Sequence, residues 1–121
     1  MRVRVNTREI SDPEILQGTT ALTDGHEYAV LEISVRFKAA TSFRVEFNEG
    51  GLRQSALFDS RAFAVTCHSM PPTWRYFQLE SGAFSLRPEA WNAPGFWEDY
   101  YDGDSRAIAA YEDERAAILS H

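Results

Sequence analysis

The chain has 121 residues, 44% of them hydrophobic, enough apolar material to bury one core without disulfides or a structural metal. Eighteen acids against twelve basic residues leave a net charge of −6, which excludes a protein that tracks nucleic-acid phosphates, since that task needs clustered Lys and Arg. The single cysteine, Cys67, excludes an internal disulfide framework and fits a reducing compartment.

Arg2 to Val5 alternates polar and apolar residues and predicts a first strand with one wet face. No apolar run here or further on is long enough for a signal h-region or a membrane span, so the expectation is a cytoplasmic protein without membrane contact. Asp12-Pro13-Glu14 is a helix-start signal, and Gly18 is a stop, which predicts one short turn over 13–17. The strongest β signal runs from Glu27 to Phe37. Tyr28 and Val30 lie on its even side but Ile33, Val35 and Phe37 on its odd side, so a bulge or sharp bend is expected near Leu31 and Glu32.

Phe43, Val45 and Phe47 form a period-two strand that ends in the turn signal Asn48-Glu49-Gly50-Gly51. Closely joined to the preceding strand, it should pair with it as an antiparallel hairpin. Leu57 and Phe58 precede a local turn at Asp59-Ser60, after which Phe63, Val65 and Cys67 alternate again. Pro71-Pro72 interrupts the sheet pattern. Residues 74–79 and 83–86, joined by Glu80-Ser81-Gly82, predict a second hairpin.

Beyond Leu86 the period changes. Pro88 and Pro94 each sit where proline opens a helical turn, and the pairs Phe96/Tyr100 and Trp97/Tyr101 have helical spacing. A terminal helix is predicted from about Ser105 to Leu119, capped by Asp104 or Ser105, with Ile108, Tyr111, Ile118 and Leu119 as its apolar stripe and the Arg115 stem lying along it. Short twisted strands followed by helices predict an α+β fold, specifically a small antiparallel SH3-like β-barrel with C-terminal helices. It is read as one domain over 1–121, β-rich over 1–87 and helical, acidic and aromatic over 88–121.

Little in the sequence points to a reaction. Cys67 and His68 are adjacent, but successive strand side chains point to opposite faces and do not act together as nucleophile and base. His26, His68 and His121 lack metal-ligand spacing, and Asp102-Gly103-Asp104 lacks the register of a calcium loop. No nucleophile elbow, phosphate loop or dinucleotide fingerprint is present, so no catalytic residue, metal or cofactor is assigned.

The distribution of charge says more. From Pro88 onward lie eight of the eighteen acids but only two basic residues, Arg106 and Arg115, leaving the first 87 residues with ten of each. The same stretch holds Trp91, Phe96, Trp97, Tyr100, Tyr101 and Tyr111. Aromatic contact area inside a field of one sign suits a basic protein partner. The expected contact residues are Trp91, Trp97, Glu98, Asp99, Tyr101, Asp102, Asp104 and Glu112, with Phe96 and Tyr100 packed inward. In the bland reading, these rings only attach the helices to the barrel. An alternative function is a small-molecule or peptide-binding accessory domain, with a pocket between barrel and helices lined by several of Trp74, Tyr76, Trp91 and Trp97.

Three segments carry a resemblance: Leu22-Thr23-Asp24-Gly25-His26-Glu27-Tyr28 running into Val30-Leu31-Glu32-Ile33, Ala56-Leu57-Phe58-Asp59-Ser60 leading to Phe63, and Pro94-Gly95-Phe96-Trp97-Glu98-Asp99-Tyr100-Tyr101-Asp102. Together they resemble small bacterial proteins similar in size and charge to the immunity proteins of toxin systems. What the resemblance implies is a non-enzymatic binding protein that neutralises a cationic toxin by covering it.

Overall fold

A computed structural model describes residues 1–121. Its organisation turns on Val30 and Leu31, where the chain passes from one sheet to another. Strand β1 (Arg2–Val5) pairs antiparallel with β2 (Glu27–Ala29) and β6 (Phe63–Cys67) in a three-stranded sheet of order β2-β1-β6. Strand β3 (Glu32–Val35) belongs to a second sheet, with β4 (Ser42–Glu49), β5 (Leu52–Asp59), β7 (Trp74–Gln78) and β8 (Phe84–Pro88) in the order β5-β4-β3-β8-β7. The Val30 amide still donates to Met1 O of the first sheet at 3.0 Å, while the Leu31 amide donates to Arg44 O of the second at 2.8 Å. The parity change in the sequence therefore marks a change of sheet, so it is a bend and not a bulge.

The fold is α+β with two antiparallel sheets, but the sheets are not closed into the SH3-like barrel that the sequence predicts. β5 and β7 remain the edges of one sheet, and β2 and β6 those of the other. Closure requires edge strands to pair with each other, and here the five-stranded sheet is covered on its faces instead. Odd-numbered residues of β4 face the small sheet: Phe43 lies 6.0 Å from Phe63 between ring centroids. Even-numbered residues face the C-terminal helices α2 (Phe96–Tyr101) and α3 (Ser105–Leu119), with Arg44 Nη1 2.9 Å from Tyr101 Oη and Glu46 2.5 Å from Tyr111 Oη.

Local chemistry accounts for the turns and helix ends. Gly50 and Gly51 both have positive φ, 59° and 79°, as the two-residue turn between β4 and β5 requires. β5 is longer than its sequence suggests, because cross-strand pairing from Asp59 back to Leu52 extends it through the polar Arg53-Gln54-Ser55. Asp12 caps α1 (Pro13–Gly18) by accepting from the amides of Glu14 and Ile15. Asp104 does the same for α3 with Arg106 and Ala107, and α3 keeps its predicted bounds. Its buried side is Ala107, Tyr111 and Ile118, while Ile108 and Leu119 lie at the rim. One apolar cluster runs from Val3 and Val30 through Val45 and Trp91 to Tyr111 and Ile118, so strands and helices share a core. No helix is long and apolar enough to cross a membrane.

Candidate protein-binding face on the C-terminal segment

After Pro88, a 3-10 turn over Glu89–Asn92 directs Trp91 inward. Gly95, at φ 72°, then turns the chain into α2, whose six residues carry four rings. Trp91 stacks on Tyr111 at 5.2 Å with an interplanar angle of 16°, and Trp97 meets Trp91 edge-on at 5.5 Å. Tyr100 closes on Tyr111 at 4.5 Å. Burial, followed by the bond to Glu46, pushes the Tyr111 phenol far above its ordinary pKa, and burial raises Tyr100 as well. Both phenols stay neutral at physiological pH.

The expected division of these rings is only partly realised. Phe96 is buried as anticipated. Trp91 has 1% of its surface exposed and offers nothing to a partner, which corrects its assignment as a contact residue. Its place in the chain, one turn after the last strand, puts it under α3. Trp97 is half-buried, and the Arg44 guanidinium lies 3.6 Å from its ring centroid. Tyr101 is 56% exposed, yet its hydroxyl is fully engaged, donating to Ser55 O at 2.8 Å and accepting from Arg44.

The acids divide in the same way. Asp104 spends its carboxylate on the α3 cap, and Glu112 pairs with Arg53. Glu98, Asp99 and Asp102 are exposed and take part in no ion pair. The carboxylates left without an ion pair are therefore Glu98, Asp99 and Asp102, all in the short segment that also carries the exposed Tyr101 ring.

A polar network lies on the covered face of the sheet. Glu32, 2% exposed on its side chain, accepts from Arg44 Nε at 2.5 Å, and Arg87 Nη1 approaches its second oxygen at 3.6 Å. On the next turn of the same face Glu46 accepts from Tyr111 and from Arg115 Nε at 2.7 Å, so the Arg115 head is held by a carboxylate and not left to solvent. Sequence reasoning placed Tyr111 and Arg115 on the apolar stripe of α3 but assigned Arg44, Glu46 and Arg87 no role, and Glu32 only a place at the bend. The available signal was charge opposition, because Glu32 and Arg44 are direct cross-strand partners.

Of the four rings expected to line the alternative pocket, Trp91 and Trp97 meet edge-on, while Trp74 and Tyr76 make no ring contact with them. Trp74 is buried with its indole N–H on Leu31 O at 2.9 Å. Tyr76 is exposed and stacks on Phe84 at 5.1 Å, on the edge strand of the sheet. A cleft of about 260 Å³ lies elsewhere, between α1 and β5, lined by Asp12, Glu14, Ile15, Phe58, Asp59 and Arg61. No three His, Cys, Asp or Glu side chains are grouped to hold a metal ion. No protein-family model matches the chain, and no curated protein or solved structure matches it either.

Proposed function

We propose that the chain is a non-enzymatic protein-interaction domain whose C-terminal segment binds a basic protein, as an immunity-type inhibitor covers a cationic bacterial toxin. The observation that carries this reading is the set of exposed, unpaired carboxylates Glu98, Asp99 and Asp102 in the same short segment as the exposed Tyr101 ring. They lie in the part of the chain that holds the whole net charge. Like-signed charge on an open surface steers an oppositely charged partner and raises the association rate, while ring contacts govern dissociation. The bond of Tyr101 to Arg44 and Ser55 fixes the end of α2, so little ordering cost falls on binding. An exposed free Cys67 is compatible with action in a reducing cytoplasm.

The test is titration of the purified chain with the basic product of the neighbouring gene, by calorimetry at low and high salt. Replacing Glu98, Asp99 and Asp102 together by lysine should weaken binding by at least about tenfold, with the largest loss at low salt. Equal affinity of wild type and triple variant, or no binding at low salt, would overturn the reading.

A further inference from the structure

One of the unpaired carboxylates, Asp99, borders a shallow groove. It has a volume of about 360 Å³ and lies between the 3-10 turn, the start of α2 and the first turns of α3, walled by Ala90, Ala93, Pro94, Phe96, Ala107 and Ala110. Four of these residues contribute only a methyl group, so no side chain of the molecule fills the gap between turn and helix. Asp99, Asp104 and Arg106 complete the rim. Residues 98 to 106 hold four acids, Glu98, Asp99, Asp102 and Asp104, against Arg106 alone.

The geometry points to this groove as the anchor point for a cationic partner: it takes one aliphatic side chain of a segment whose flanking Lys or Arg residues meet Asp99 and Asp104 at the rim and the neighbouring acids of the chain, Glu98 and Asp102. The inference rests on the protein-binding reading above and adds the feature that the partner must present. Charge complementarity selects the occupant. A second copy of this chain would bring two C-terminal segments of net negative charge together, which is repulsive, whereas a basic segment neutralises that charge and lets its apolar side chain displace water from the alanine walls. Alanine methyls and one proline make a wide, low trough that suits a branched aliphatic group, and an apolar pocket inside a polar rim is the usual anatomy of an interface anchor.

The probes are two lysine-rich peptides that differ only in one central residue, leucine or glycine, titrated into the intact chain at low salt. The leucine peptide should bind about tenfold more tightly, and its addition should shift the methyl resonances of Ala90, Ala93 and Ala110. Ala93→Phe, a change at an exposed loop position that fills the trough, should abolish the preference for leucine while leaving salt-dependent binding of both peptides. Glu98→Lys with Asp102→Lys should weaken both peptides and keep the preference. Equal affinity for the two peptides, or a leucine preference without alanine methyl shifts, overturns the groove assignment and leaves the charge-based reading standing. Failure of both peptides to bind at low salt overturns the reading on which it rests.

Discussion

At the scale of single residues, Glu32 and Arg44 have the greatest consequence. Their side chains are 2% and 5% exposed, and each loses hydration that only its partner and neighbours replace. Removing one member leaves an uncompensated buried charge, which costs about 3–5 kcal/mol, whereas replacing the pair with apolar groups of similar volume is often close to neutral. Arg44→Met should therefore lower the urea midpoint strongly and leave the Tyr101 hydroxyl with Ser55 O as its remaining partner, and adding Glu32→Leu should recover much of the loss. A double variant no more stable than Arg44→Met would show that the carboxylate is not the source of the cost. Asp24 offers a test by pH. Its carboxylate accepts from the Thr7 amide at 2.8 Å, and that bond, with a smaller opposing effect of desolvation, holds its pKa below the usual carboxylate range. A depressed folded-state pKa contributes stability at pH values above the unfolded value near 3.9, and the contribution is lost as pH falls through the lower folded value. Asp24→Asn should thus be less stable than wild type at neutral pH and converge with it in strong acid. A constant difference down the acid limb would contradict this.

At the scale of elements, the helices were legible and the covering of the sheet was not. Asp12-Pro13 and Asp104-Ser105 are local signals, since a cap depends on a side chain and amides two or three residues away, and both helices start where these signals place them. Asp104→Ala should cost about 1 kcal/mol of stability, read as a lowered thermal midpoint, with the amides of Arg106 and Ala107 losing their protection from hydrogen exchange first. The Glu46 contacts with Tyr111 and Arg115 would keep the rest of α3 seated. Strand β4 shows what alternation leaves open. Ser42, Arg44 and Glu46 alternate with Phe43, Val45 and Phe47, a pattern that reads as one wet face. Both faces of its first half are buried, because a charged side chain becomes compatible with burial once an opposite charge arrives from another strand or helix.

At the scale of the whole molecule, the shared core joins the neutral strands to the acidic helices. Val3 of β1 and Ile118 of α3 belong to one apolar cluster. Unfolding in urea should therefore be a single transition, with the tryptophan fluorescence of a Trp74→Phe variant, which then reports Trp91 and Trp97, superimposing on the far-ultraviolet circular dichroism of the sheets. An earlier fluorescence transition would mean that 88–121 detaches as a separate unit. The same core explains the fate of the aromatic run. A stretch rich in rings is both the best lid and the best contact surface available to a small sheet protein, and the lid claims Trp91, Phe96, Tyr111 and most of Trp97 and Tyr100. The surface keeps the Tyr101 ring and the carboxylates that no arginine reached.

Charge segregation, the hairpin over 74–86 and the bounds of the terminal helix were determined by the sequence itself, because each depends on residue identity or on neighbours a few positions away. Only the tertiary structure decided that the sheets stay open, that Glu32, Arg44 and Glu46 face helices instead of water, and which rings reach solvent. Those outcomes turn on pairings between segments tens of residues apart, and alternation along one strand carries no information about what will cover either of its faces.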